Sequence, residues 1–278
     1  MQTVFFGSSR YVLPVIERLN VEFDLTLVIT TEQKETDAVP AFCIEKNIPY
    51  MSVTSVKNET FIQELKKLVC PVAVLADFGL IVSNELINVF PKGIVNIHPS
   101  LLPQYRGPTP GQSAILSGKQ ETGVSVMLID EQIDHGPLLA QEKTPIEPSD
   151  TADTLYARLF IIGSVLISNS LRSYLENTLT LIPQDDAAAT FTKILTRQDG
   201  FIDSSFLPTH EKLQLMIRAY YPWPGVWTKL NLFGTEKIVK LLPNKILQVE
   251  GKKPMTAKDF LNGYPETREL LKKLNFLD

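Results

Sequence analysis

Across the first hundred residues, short apolar runs alternate with segments whose apolar residues recur at helical spacing. Strands are expected at residues 3–6, 25–29, 50–53, 72–76 and 94–97, and helices at 11–19, 39–46, 59–69 and 84–89. Strands separated by helices pair in parallel through right-handed crossovers, which places helices on both faces of the sheet. The expected class is therefore α/β, with a Rossmann-like, mostly parallel sheet. In such open sheets the ligand crevice lies outside the carboxyl ends of the strands. Asn96, Ile97 and His98 stand at one such end. The loop that follows, Pro99-Ser100-Leu101-Leu102-Pro103, cannot continue a central strand, because proline lacks the donor that the ladder needs.

Further along, a helix is expected at 110–117, a strand at 122–129, a tight polar turn at 130–136 and an extended run at 137–143. A long amphipathic helix at 151–175 has Ser149 and Asp150 as natural caps and Asp153 in its first turn. Residues 183–192 are polar and rich in alanine, which reads as a linker. Beyond them a helix is expected at 209–220, strands at 226–232 and 237–242 around the turn Phe233-Gly234-Thr235, and helices at 257–261 and 266–274. A chain of 278 residues exceeds what one core usually spans. The expected division is a catalytic domain at 1–183, a linker at 184–204 and a smaller C-terminal domain at 205–278.

Several chemistries are excluded by what is missing. There is no G-x-x-x-x-G-K-[ST] loop, no G-x-G-x-x-G after the first strand, and no G-x-S-x-G elbow. Three scattered histidines (His98, His135, His210) and two unpaired cysteines (Cys43, Cys70) do not make a zinc site, so no metal is expected. The cysteines read as reduced core residues, in keeping with a cytoplasmic protein. The first residues carry no basic start or cleavage site and read as a strand rather than a secretory signal. Apolar runs such as Pro71–Ala76 fall well short of the ~20 residues needed to span a bilayer, so no membrane contact is expected. The net charge of −4 counts mildly against a large nucleic-acid surface, although a local basic stripe can work on an acidic protein.

The chemistry-bearing residues are concentrated between Asn96 and Leu139. Asn96 and His98 are two apart on one strand and share a face. Asp134 lies in a turn after a strand that can sit beside theirs. An amide, an imidazole and a carboxylate brought together suit attack of an amine on a carbonyl. Protonated His98 and the Asn96 amide would stabilise the developing oxyanion, and Asp134 would accept the amine's proton, directly or through water. Taken singly, a histidine at a strand end is often structural, and an aspartate in a turn is usually a turn residue.

Asn96-Ile97-His98-Pro99-Ser100-Leu101-Leu102-Pro103, then Tyr105-Arg106-Gly107, Glu121-Thr122-Gly123-Val124 and Asp134-His135-Gly136, resemble the core of the 10-formyltetrahydrofolate-dependent formyltransferases. The resemblance implies the formyltransferase fold, 10-formyltetrahydrofolate as co-substrate, and Asn96, His98 and Asp134 as catalytic residues. It also implies a folate site lined by Ser100, Leu101, Leu102 and Pro103, by Phe78, Gly79 and Leu80, and by the turn before Asp134. His135 departs from the family pattern, where threonine or alanine is commoner, and reads as a solvent-facing turn residue rather than one that tunes the field on Asp134.

Within that family, members acting on glycinamide ribonucleotide are usually single domains. Here Leu195–Asp203, Ile217–Trp227 and Gly251–Leu261 resemble the linker and C-terminal domain of the branch that formylates methionyl-tRNA. That branch implies initiator methionyl-tRNA as partner and a monomeric enzyme. Two departures stand out. The stretch at 30–40, where the branch carries a long basic insertion, is short and net acidic. Residues 232–252 leave room for about two or three strands, fewer than an OB barrel needs, so a truncated OB-like β-rich domain is expected. Candidate tRNA contacts are Arg106, Lys193, Arg197, Lys229 and Lys237. An amino-sugar nucleotide or other small amine is the rival acceptor. A non-catalytic folate- or RNA-binding module is a further alternative, against which the intact trio argues.

Overall fold

The structure is a computed structural model that describes residues 1–31 and 37–277. The acidic stretch expected at 30–40 therefore falls in part outside the described residues. The chain forms two compact units. The first comprises residues 1–107, 122–145 and 156–192, and the second residues 108–121, 146–155 and 193–278.

The first unit is built on a seven-stranded sheet. Its strands are β1 (Gln2–Phe6), β2 (Asp24–Thr31), β3 (Tyr50–Val53), β4 (Val72–Leu75), β5 (Ile94–His98), β6 (Glu121–Leu128) and β7 (Leu138–Pro145), in the order β3-β2-β1-β4-β5-β6-β7. The five strands from β3 to β5 pair in parallel. The crossovers carry α1 (Leu13–Glu22), α2 (Ala38–Lys46), α3 (Glu59–Lys67) and α4 (Asn84–Ile87). Helix α3 shows the local logic. Asn58 Oδ1 accepts from Thr60 N at 2.8 Å to open the helix, and Phe61, Ile62 and Leu65 form its buried stripe. They pack with Val4, Phe6, Ile29, Ala73 and Ile94 in one core cluster. Two helices end earlier than their patterns suggest. Helix α3 stops at Lys67 and Val69 turns into the left-handed region (φ 52°), while α4 closes at Ile87.

Strand β6 runs antiparallel to β5, with Asn96 opposite Met127 and His98 opposite Ser125. The two strands come from distant segments; Leu128 at the end of β6 pairs with Val95 near the amino end of β5, and the turn that follows returns to set Asp134 against Asn96 and His98. The helix α6 (Ala152–Leu175) covers this part of the sheet. A Cβ on Gly163 would stand 2.7 Å from Ile97 Cγ2, so the helix lies this close to β5 only because residue 163 is glycine. By length and hydropathy α6 could cross a membrane, but half of its most apolar stretch is buried and it serves as a core helix.

The second unit packs α5 (Pro110–Leu116) against α7 (His210–Ala219). It also holds β8 (Val226–Leu232), β9 (Thr235–Leu242), β10 (Ile246–Val249) and β11 (Met255–Thr256), followed by α8 (Ala257–Gly263) and α9 (Arg268–Lys273). The four strands form an antiparallel sheet in the sequential order β11-β10-β9-β8. Strand β8 alternates strictly, burying Val226, Thr228, Leu230 and Leu232. The tight β8–β9 turn at Phe233-Gly234 has positive φ at both positions (51° and 79°), the geometry that matches the twist of paired strands. Between 232 and 252 lie two strands, β9 and β10, so the small β-rich domain expected from the short sequence is what forms.

Candidate active site

All five residues of β5 are buried, and the side chains of Asn96 and His98 point to the same face at its carboxyl end. Asn96 is 6% exposed and His98 4%. A buried polar side chain must find partners. His98 Nε2 lies 3.0 Å from the carbonyl oxygen of Tyr105. A carbonyl only accepts, so Nε2 carries the hydrogen, and this contact fixes the tautomer of the neutral ring. His98 Nδ1 then faces Asp134 Oδ2 at 3.5 Å. Asn96 Nδ2 donates to Asp134 Oδ1 at 3.4 Å. The three residues singled out in the sequence thus meet around one carboxylate.

Asp134 is itself held firmly. Gly107 N donates to its Oδ2 at 2.7 Å. Its backbone sits in the left-handed region (φ 48°), a conformation aspartate tolerates better than most residues. The glycine two residues on has a different role. A Cβ on Gly136 would collide with Leu128 O, so glycine lets the turn fold back onto the end of β6. Gln184 Nε2 donates to the carbonyl oxygens of Asp134 (2.9 Å) and Gly136 (2.8 Å), bracing the turn from outside. Gln184 Oε1 accepts from Arg106 Nε and Nη2 at 3.1 and 2.9 Å. Arg106 Nη2 also donates to Asp186 Oδ1 at 2.7 Å.

Arg106 is only 3% exposed, with its Nε and Nη2 held in this network, which removes it from the candidate tRNA contacts. Lys193 is paired with Asp199, and Lys229 with Glu236. The Arg197 guanidinium lies 5.1 Å from the Trp227 ring centroid, and Arg197 and Lys240 both border a shallow depression on the four-stranded sheet. His135, expected to face solvent, instead has a side chain only 28% exposed and lies between two carboxylates, Asp130 and Asp186.

The residues expected to line the folate site divide into two kinds. Ser100 is wholly buried, with its hydroxyl donating to Gln104 O at 2.6 Å, and Phe78 turns its ring inward against Phe6 (5.3 Å between centroids). These two can offer a ligand only backbone. Leu102 packs with Met127 and Leu138, its N–H donates to Ser125 Oγ, and its carbonyl accepts from Gln141 Nε2. Leu101 is half-buried, Pro103 follows a cis peptide, and Leu80 packs along the edge of the core. Gly79 (φ 79°) has open space where a Cβ would stand. Beside these, Ile81 and Ile133 are left 81% and 69% exposed on two loops that Asn84 and Glu131 tie together at 2.9 Å. Apolar side chains exposed beside a glycine-opened backbone suit a flat heteroaromatic ring.

Gln184, Asp186, Ser125, Gln141 and the Gly107 amide were not read from the sequence. The first two lie about fifty residues from Asp134 in a stretch whose composition signals only a linker. The sole signal was indirect: an arginine in the loop after β5 needs an anionic or amide partner if it is buried.

Residues 24–170 match the formyl transferase family. The methionyl-tRNA formyltransferase of Roseiflexus sp. (strain RS-1) is 37% identical over 238 residues, covering 82% of this chain and 73% of that one. That of Koribacter versatilis (strain Ellin345) is 31% identical over 99% of this chain and 100% of that one. Among solved structures, a 4-N formyltransferase from Francisella tularensis superposes with a TM-score of 0.69 at 18% identity, covering 87% and 97% of the two chains. A phosphoribosylglycinamide formyltransferase from Bacillus halodurans gives 0.55 at 28% identity, over 63% and 95%.

Proposed function

The chain belongs to the formyl transferase family, and we propose that the amine it formylates is that of initiator methionyl-tRNA, with Asn96, His98 and Asp134 carrying the transfer. The likeness to the Koribacter protein supports this acceptor most, because it runs through the C-terminal unit as well as the catalytic sheet. The observation that carries the catalytic assignment is the convergence of Asn96 Nδ2 and His98 Nδ1 on the two oxygens of Asp134.

When bound, 10-formyltetrahydrofolate supplies an electrophilic formyl carbon. Backbone of the loops at 78–80 and 100–103, with Leu80, Ile81, Leu101 and Ile133, would hold its ring. The Asn96 amide and the protonated His98 Nδ1 present N–H donors on one side of the site, where negative charge grows on the carbonyl oxygen. His98 Nε2 stays anchored to Tyr105 O throughout, so the ring cannot swing away. Asp134 takes the proton that the attacking amine loses and would return it to the folate nitrogen as the formyl C–N bond breaks and tetrahydrofolate leaves, while Gly107 N–H keeps its second oxygen in place. The reaction occurs in the cytoplasm, where the charged tRNA is made.

Two measurements test this. The protein should formylate charged initiator tRNA in the presence of 10-formyltetrahydrofolate. The KM for that tRNA should rise steeply with salt, because each lost phosphate contact contributes a slope of roughly 0.9 in log–log terms. No formylated tRNA, together with turnover of an amino-sugar nucleotide, would move the protein to the other acceptor class.

A further inference from the structure

The site contains one ionic device that the transfer chemistry does not use. His135 follows Asp134 directly. Its Nδ1 lies 2.6 Å from Asp130 Oδ2, and its Nε2 lies 3.2 Å from Asp186 Oδ2. Carboxylates only accept, so both contacts are hydrogen bonds only when both ring nitrogens carry hydrogen. A neutral imidazole would turn a lone pair toward one of the two carboxylates. The bridge is therefore complete in the charged form alone.

The bridge leads back to the reacting centre. Asp186 Oδ1 accepts from Arg106, Arg106 holds Gln184 Oε1, and Gln184 Nε2 holds the carbonyl oxygens of Asp134 and Gly136. Arg106 also precedes Gly107, whose N–H fixes Asp134 Oδ2. Every support of the catalytic carboxylate from the 105–107 and 184–186 segments is thus connected to the ring of His135.

We propose that His135 is a positioning residue whose imidazolium clamps the 184–186 segment against the turn bearing Asp134, so that loss of one ring proton loosens the catalytic carboxylate. This rests on the reading of Asp134 as the proton acceptor. Four charged groups face the ring or its partners: Asp130 from the start of the turn after β6, Asp186 from the segment after α6, Arg106 from the loop after β5, and Asp134 beside it in the turn. Asp185 is turned to its own Ala187 N–H, and Glu131 to Asn84. The hydrogen bond to Asp130, then that to Asp186, holds the His135 pKa above its ordinary value. The Arg106 guanidinium, then His135, holds the Asp186 carboxyl below its ordinary value.

A histidine with a raised pKa contributes its clamp fully below the ordinary value near 6.5 and loses it as pH rises through the raised one. The remaining proton stays on the shorter contact, with Asp130, and the Asp186 contact is released. Turnover then falls on the alkaline side through an ionisation that belongs to His135.

Two readings test this on the full-length enzyme. The first is an NMR titration of the His135 ring in the wild-type protein, identified by its loss in H135Q. A midpoint above the ordinary histidine value, lowered in D186N, is expected; a midpoint at or below it overturns the proposal. The second is the pH profile of kcat. H135Q should lose the alkaline limb and turn over about fivefold slower at neutral pH with acceptor KM little changed, a fraction of the roughly hundredfold loss that a 1 Å misplacement causes. A profile superimposable on the wild type overturns it. If instead D134N kept full turnover, the catalytic reading would fail, while the ring titration would still judge the bridge.

Discussion

Gln184 gives both hydrogens of its amide to carbonyl oxygens in the turn that bears Asp134, that of Asp134 itself at 2.9 Å and that of Gly136 at 2.8 Å. One side chain thereby ties a residue fifty positions away into the turn that aims the carboxylate. Replacing it with glutamate would put oxygen against oxygen at both contacts and leave Arg106 with an altered partner. Q184E should lower kcat by about tenfold, in line with the ~1–3 kcal/mol lost when buried partners go unsatisfied. Folate affinity should change much less. Steady-state kinetics with acceptor and folate varied separately would separate the two effects.

His98 and Asn96 are expected to act on the transition state rather than on binding. H98A and N96A should each lower kcat by about 10²–10³, the usual loss on removing one oxyanion donor, with small changes in either KM. A rise in KM at constant kcat would mean that these side chains bind substrate instead.

Much of this site was legible in the sequence because β-strand alternation is simple. Asn-x-His at a strand end, followed by a proline-rich loop, fixes two side chains on one face without any knowledge of the partner strand. The pairing that delivers Asp134 was also readable, since 122–129 is a strongly β-forming run before a polar turn. The supports were not. Nothing in Gln184 or Asp186 marks them as braces, because hydrogen-bonding side chains in an irregular segment carry no period. His135 read as a solvent-facing residue for the same reason, since both of its carboxylate partners are set by tertiary folding. The positive φ at Asp134 was hidden as well. Asp-x-Gly invites the glycine to take the left-handed position, yet here the aspartate takes it and Gly136 is needed for close approach to Leu128.

Gly136→Ala tests that last point. The added methyl has no space beside Leu128 O, so either the β6–β7 turn shifts or the pairing opens. A destabilisation of about 1–3 kcal/mol is expected, as for other overpacked sites, with a larger fall in activity than in melting temperature because the shift falls on Asp134. Thermal unfolding and turnover measured on the same preparation would check it.

In the C-terminal unit, Asp199 accepts from Lys193 and from both the N–H and hydroxyl of Thr196, closing a capping box. The hydrogen bond from Lys193, followed by those from Thr196, pulls the Asp199 carboxyl down to about 2. A depressed carboxyl contributes stability above its unfolded value near 3.8 and loses it as pH falls toward the folded one. D199N should therefore melt earlier than wild type at neutral pH, and the gap should close as pH falls from about 4 to 2. Melting temperatures of both proteins across that range would show it.

Both cysteines are buried, and burial pushes the Cys43 thiol up to about 11. Burial also raises the Cys70 thiol. Neither should react with a thiol reagent at neutral pH in the native protein, while both should react once it is unfolded. Absorbance with an aromatic disulfide reagent, with and without denaturant, would measure the difference.

The central claim is that one carboxylate, held between an amide and an imidazole, takes the proton that drives transfer. The most direct measurement is single-turnover formyl transfer by D134N at saturating 10-formyltetrahydrofolate and saturating charged tRNA. Asparagine can still accept from Gly107 but cannot take up a proton. The account predicts a rate at least about a hundredfold below wild type, with folate binding within a few fold. A D134N rate within about threefold of wild type would contradict it, because the carboxylate would then not be the group that accepts the proton.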